Sequence, residues 1–366
     1  MQLSPGDPAP WFKTRSPTNP NFNFSTVAGR YIVLCFFGSA ALENSQRILA
    51  DTMAGRQVFD DDHASWFGIS IDPSDESEGR VQQAIPGVRL FWDFDQAVSK
   101  LYEICPEEPD PNGSIAYTQY SLVLDPNLRV LETFAFDDPE THGQAVIDYV
   151  AALPRIGPGR LAQAQAPIIS VPRVFEPDLC RRLIDYYNAI GGTESGFMRD
   201  VNGQTKLIVD HAHKRRSDVT IEDETLKQLC QLRIRTRLLP EIAKATQFSV
   251  TRMERYIVSC YDSSSGGYFR PHRDNTTKGT AHRRFAVTLN LNSDEYEGGN
   301  LRFPEFGRHT YRADTGGAVV FSCSMLHEAL PVTKGRRYAF LPFLYDEAAA
   351  RIRQQNQQHL DPAIVG

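Results

Sequence analysis

Two hydropathy patterns that no single core satisfies divide this chain near residue 160. Before that point come unbroken apolar runs, Tyr31 to Phe37, Trp66 to Ile71 and Tyr120 to Leu124, with a helical stretch from Leu42 between the first two. Such runs suit parallel strands buried on both faces and joined by crossover helices. After it, Phe285, Val287, Leu289 and Leu291 alternate with Ala286, Thr288, Asn290 and Asn292, the period of a half-buried strand. Further short strands follow at glycine turns: Gly298-Gly299 into Leu301 to Phe303, Gly316-Gly317 into Ala318 to Phe321, and Tyr338 to Leu341 last. Many short strands with glycine turns predict a sandwich or jelly roll. Two helices precede them, one opened by Pro177 and stopped at Gly191-Gly192, the other expected over Asp223 to Leu239. The proline- and glycine-marked stretch from Ala151 to Pro167 separates the halves. The expected organisation is therefore a first domain over 1–155, a linker over 156–167, a second domain over 168–350 and a polar tail over 351–366.

At 366 residues the chain is long enough for two cores, and no apolar run approaches the ~20 residues of a membrane helix. Six cysteines are scattered without a Cys-x-x-Cys pair, so neither a zinc knuckle nor a dithiol motif is written, and most are expected to be reduced core thiols. The start of the chain lacks an export signal, and a cytoplasmic location is the expectation. Net charge is split. Residues 1–155 hold 10 basic against 22 acidic residues, the remainder 29 against 23. The bland reading is that both halves stay soluble; the sharper one is that a basic catalytic half attracts anions. No nucleic-acid motif accompanies the basic half, so neither a nucleic-acid nor a membrane partner is indicated.

One His-x-Asp, His272-Arg273-Asp274, lies in the strand-rich region, and a second, His359-Leu360-Asp361, lies in the polar tail. Roughly one His-x-acid is expected by chance in a chain of this composition, so context decides. On a strand, residues i and i+2 share a face, which would aim His272 and Asp274 at one metal. His327, just after a predicted buried strand, is the candidate third ligand. Two histidines and a carboxylate leave three octahedral positions open, room for a bidentate cosubstrate and dioxygen. A lone histidine is more often a satisfied loop residue, and His211, His213 and His309 are assigned so. Arg337, ten residues beyond His327, could grip a carboxylate bidentately.

Tyr268-Phe-Arg-Pro-His272-Arg-Asp274, Glu297 to Phe303, Gly317 to Phe321 and His327 to Arg337 resemble the prolyl 4-hydroxylase-like Fe(II)/2-oxoglutarate-dependent dioxygenases over about residues 168–346. The resemblance implies Fe(II) held by His272, Asp274 and His327. It also implies 2-oxoglutarate as cosubstrate, with Arg337 on its distal carboxylate, and ascorbate as a reductant. Tyr261 matches a tyrosine that contacts the same carboxylate, with Tyr268 as the competing choice. Arg337 stands where collagen-type members carry lysine, so their substrates are not inferred. The implied reaction couples decarboxylation of 2-oxoglutarate to succinate and CO2 with hydroxylation of a C–H bond in a protein, peptide or small-molecule substrate.

Pro5 to Phe12, Gly29 to Gly38, Gly68 to Asp72 and Leu122 to Pro126 are similar to the peroxiredoxin-like redoxins. Laying that family's Pro-x-x-x-Thr-x-x-Cys onto the chain puts Gly38, Leu42 and Ser45 at the three defining positions, so a redox-inactive domain is expected. The implied fold is an α/β thioredoxin-like domain followed by an α+β double-stranded β-helix, or jelly roll, with flanking helices. Two other readings remain: a non-catalytic redoxin and jelly-roll module that binds or senses oxygen, and a zinc hydrolase. The zinc hydrolase lacks a His-Glu-x-x-His helix and leaves Arg337 unexplained.

Overall fold

Every position from Tyr31 to Phe37 is apolar, which suits a strand covered on both faces, and Tyr31–Gly38 lies inside a seven-stranded sheet. The computed structural model describes residues 3–108, 115–159, 161–162 and 164–361. It forms two units, Met1–Arg160 and Leu161–Gly366, divided inside the stretch expected as a linker. Among the described residues no helix is long and apolar enough to cross a membrane.

In the first unit the sheet runs Asn19–Asn23, Lys13–Ser16, Val88–Trp92, Ala64–Ser70, Tyr31–Gly38, Tyr120–Leu124, Val130–Ala135. Tyr31–Gly38, Ala64–Ser70 and Val88–Trp92 are parallel. Tyr120–Leu124 is antiparallel to Tyr31–Gly38 and hairpins into Val130–Ala135, which corrects the expectation of a third parallel strand. A buried apolar run looks the same in either direction. Ile32, Leu34 and Phe36 pack into one core on one face, and Val33, Cys35 and Phe37 into another on the opposite face. The second face is covered by helices Glu43–Ala54 and Pro139–Ala152 through Ile48, Val146, Ile147 and Val150. The unit has the thioredoxin-like arrangement.

The second unit is a jelly roll with helices on one side. Its larger sheet contains Arg252–Glu254, Ile257–Asp262, Phe285–Asn290, Arg336–Phe340 and Phe343–Tyr345, with Ala318–Ser322 beside Phe285–Asn290. Its smaller sheet contains Lys214–Arg215, Tyr268–His272, His327–Ala329, Leu301–Arg302 and Thr310–Tyr311 in that order. Pro177–Ile190 begins with its proline and ends at Gly191, which lies at φ 83, where glycine costs least. Leu179, Leu183 and Tyr187 of this helix pack with Val258, Val287, Leu289 and Phe340 on the outer face of the larger sheet. The second helix is longer than expected. Asp223 caps Glu224–Arg233, a π-helical turn spans Ile234–Leu238, and Leu239–Thr246 continues past Pro240.

The alternating strand differs from its reading in one respect that matters for function. Thr288, Asn290 and Asn292, expected to face solvent, are all buried. Period two distinguishes the two faces of a strand, but it does not tell water from a polar cavity. Phe343–Tyr345 is an unexpected additional strand, and the expected polar tail begins inside a helix, Glu347–Asn356. Leu360 then bridges to Thr205, and residues 362–366 lie outside the described residues.

Candidate metal centre

Antiparallel pairing of Tyr268–His272 with His327–Ala329 sets His272 directly opposite His327, with ring centroids 4.3 Å apart. Phe269 stacks on His272 at 3.5 Å, and Phe321 lies 4.5 Å from His327, so both imidazoles are fixed against aromatic rings. Asp274 was expected on the same strand. The strand instead ends at His272 after a register shift, and Asp274 occupies the following turn, its N–H donating to Cys323 O at 3.0 Å. Arg273 holds this turn to the loop before His327: it pairs with Glu305 at 2.6 Å and donates to Ser324 O, while Glu305 accepts from Leu326 N at 2.9 Å.

The three side chains bring ligand atoms within 4.8 Å of one another. His272 Nε2 lies 3.5 Å from Asp274 Oδ1, and His327 Nε2 lies 3.3 Å from Asp274 Oδ2. The Nδ1 of His272 faces Arg270 O at 2.8 Å and that of His327 faces Met325 O at 3.0 Å. A carbonyl only accepts, so each Nδ1 carries a hydrogen, and each Nε2 is the ring nitrogen turned toward Asp274. Burial, then the neighbouring His272, push His327 down to about 4, which keeps its ring neutral at neutral pH. Two imidazole Nε2 atoms and two carboxylate oxygens thus converge, an arrangement that suits a divalent cation.

Arg337 and Tyr261 are opposite each other in the larger sheet, and the guanidinium lies 5.1 Å from the tyrosine ring. Arg337 donates to Gly299 O at 2.7 Å and reaches Asn290 Oδ1 at 3.5 Å, but its Nε is buried without a partner among the described residues. Gly299 has to be glycine: at φ +65 an added Cβ would come 2.8 Å from Val332 and 3.2 Å from Arg337. Arg336 points outward to Asp262 at 2.7 Å. Tyr268 donates to His211 O at 2.7 Å and does not line the cavity that holds the triad, whereas Tyr261 does. His359 belongs to a short turn after the last helix and is not part of the triad.

The triad, Tyr261 and Arg337 line one cavity of about 920 Å³ between the two sheets, within the range of small-molecule sites. Its wall includes residues to which the sequence reading gave no role in the site: His213, Lys214, Arg216 and Arg283, from the segments 193–217 and 275–283 expected to shape the substrate pocket, and Asp218 and Arg255 outside them. His213, assigned to a loop, sits 5.4 Å from Phe269 and 6.5 Å from His272. The alternation Lys214, Arg216, Asp218 in a short strand region was the available signal for the cationic wall.

Residues 256–345 match the family model of the 2OG-Fe(II) oxygenase superfamily, and residues 5–133 match that of the AhpC/TSA family. A PKHD-type hydroxylase of Cupriavidus metallidurans is 26% identical over 186 residues, 47% of this chain and 75% of its own length. Another, from Shewanella sp. (strain ANA-3), is 26% identical over 204 residues, 53% of this chain and 83% of its own. A solved prolyl-4-hydroxylase of Pseudomonas putida is 18% identical, with 50% of this chain and 95% of that one covered at a TM-score of 0.37. The second unit thus matches the 2OG-Fe(II) oxygenase superfamily and is similar to PKHD-type hydroxylases, and the first unit, ahead of it in the chain, matches the AhpC/TSA family.

Proposed function

We propose that the second unit hydroxylates an unactivated C–H bond of a protein, peptide or amino-acid-like substrate, a prolyl residue among the candidates, and releases succinate and CO2 from 2-oxoglutarate. His272, Asp274 and His327 hold ferrous iron in this reading, Arg337 receives the distal carboxylate of 2-oxoglutarate, and Tyr261 supports it. The observation that carries the reading is the convergence of the Nε2 atoms of two imidazoles, each anchored through Nδ1 to a backbone carbonyl, on one carboxylate. Iron at this position supplies the one-electron chemistry through which dioxygen attacks a C–H bond, and ascorbate serves as the external reductant that keeps it ferrous.

The chain's own residues bind, orient and exclude water. Arg270 O and Met325 O fix the tautomers of the two imidazoles. Phe269 and Phe321 hold their ring planes. Arg337 brings a buried, partly unpaired cation to the inner end, where a carboxylate completes its hydrogen bonds. Anaerobic titration with Fe(II) and then 2-oxoglutarate should show one iron bound and a further spectral change when the cosubstrate chelates it; oxygen should then yield succinate. His272→Ala and His327→Ala should lose both iron and succinate, and His359→Ala neither. Iron retained by His272→Ala but lost by His359→Ala would refute the assignment.

A further inference from the structure

The cavity is lined by eight basic and five acidic side chains among the described residues. Asp218 Oδ2 already accepts from Arg216 at 2.7 Å and from Ser195, and its Oδ1 accepts from Ser259 at 2.7 Å. Arg255 reaches the same Oδ2 only at 3.4 Å, the one hydrogen bond it has among the described residues. Its guanidinium lies 5.3 Å from the Phe343 ring, which Arg283 also faces at 4.0 Å, but Arg283 is paired with Glu254 at 2.7 Å. Lys214 adds no dependable charge. It is buried on Ser195 Oγ and Gly196 O, and burial, then Arg216, push it down to about 5.

In the reading of the site given above, iron and Arg337 carry three positive charges against Asp274 and a doubly charged 2-oxoglutarate. That set closes on itself. Glu254 answers Arg283, and Asp218 answers Arg216. Arg255 only shares Asp218 with Arg216, at 3.4 Å, with its side chain 30% exposed on the cavity wall and near enough to feel the charge of Asp274. It also holds a backbone φ of 67, a left-handed conformation that a residue other than glycine adopts at a cost and that concentrates at ligand sites.

We propose that the substrate oxidised at this centre carries a carboxylate, as an amino acid or the carboxyl end of a peptide does, and that Arg255 receives it. The inference rests on the iron and 2-oxoglutarate reading and adds the chemical class of the substrate. A carboxylate offers a bidentate, oppositely charged partner to a guanidinium whose existing bond is long.

Calorimetry on the full chain loaded with Mn(II), which occupies the site without turnover, and 2-oxoglutarate under nitrogen tests the inference. The titrants are a panel of N-acetyl amino acids, the matching N-acetyl amides, and short peptides ending in a free or an amidated carboxyl. Acids should bind about ten-fold or more tightly than their amides, the loss expected for a charge-assisted pair. Either acid series suffices, and the tighter one identifies the source of the carboxylate. Arg255→Gln, which imposes no new backbone demand at this φ, should abolish the preference while leaving Mn(II) and 2-oxoglutarate affinities unchanged. Arg255→Lys should retain part of it. Equal binding of acids and amides, no binding by any acid, or an undiminished preference in Arg255→Gln would overturn the proposal and leave the metal reading standing. Failure of the wild-type chain to take up Mn(II) and 2-oxoglutarate would overturn both.

Discussion

Arg337 has five N–H donors and spends one on Gly299 O and another, weakly, on Asn290, and among the described residues its buried Nε–H has no acceptor. A buried unpaired donor costs free energy, so its retention beside Tyr261 in a polar cavity points to a ligand that completes the shell. Arg337→Ala should weaken 2-oxoglutarate by about 1.5–3 kcal/mol, the value of a charge-assisted hydrogen bond, or roughly ten- to a hundred-fold in Kd. Iron affinity should barely move, because the arginine touches none of the three ligands. Arg336→Ala is the matched control: its guanidinium is engaged outside by Asp262. Equal 2-oxoglutarate affinities in wild type and Arg337→Ala, measured anaerobically with iron bound, would remove the arginine from the role.

At the scale of elements, Glu254 ties three pieces of chain together. It ends the strand Arg252–Glu254 and accepts from His282 at 2.9 Å, from Arg283 at 2.7 Å, and from Arg353 of the last helix at 3.4 Å. Burial alone would raise its carboxyl, but the bonds from His282 and Arg283 outweigh that and hold it well below its ordinary 4.5. A depressed folded pKa means stability that is fully present above 4.5 and is lost as the pH falls toward the folded value. Glu254→Gln should therefore destabilise the second unit by on the order of 3 kcal/mol at neutral pH, because Arg283 loses its buried anion. Urea titrations of both proteins should show that gap constant down to about pH 5 and narrowing below it. A gap that widened in acid would show that the carboxylate is not the stabilising form.

The same scale shows which parts of the molecule were legible in its sequence. Spacing set His272, His327 and Arg337 apart from the other candidates in the sequence, and the register of two strands far apart in the chain places the two histidines side by side. The turn that carries Asp274 was not legible, since a strand's last residue depends on a register shift against its neighbour. Nor was the inward face of Phe285–Asn290: Thr288 and Asn290 look like solvent residues and line the interior. Lys214, Arg216 and Arg255 were given no role because they converge from separate strands and loops, and their shared cavity exists only in the fold.

For the molecule as a whole, the open matter is what a peroxiredoxin-like unit does ahead of an oxygenase, and its thiols bear on that first. A peroxidatic cysteine needs a helix N-terminus to lower its pKa and an open path for peroxide. Ser45 takes that position in the helix Glu43–Ala54, fully buried, donating to Phe37 O at 2.8 Å and accepting from Gln119 at 2.8 Å. All six cysteines are free and buried. Cys35 lies inside the central strand, where burial pushes its thiol up to about 12, and burial raises Cys105 as well. Thiolate is therefore scarce at neutral pH, and peroxide has no direct access to it. The iron-free full chain should consume no hydrogen peroxide with thioredoxin or glutathione as reductant, and Cys35→Ser and Cys105→Ser should leave that result unchanged. The fold would then persist without thiol chemistry, as a unit that docks or presents substrate. Peroxide turnover in the iron-free chain that vanished in either serine variant would instead show that a relocated thiol had taken over the peroxidase role.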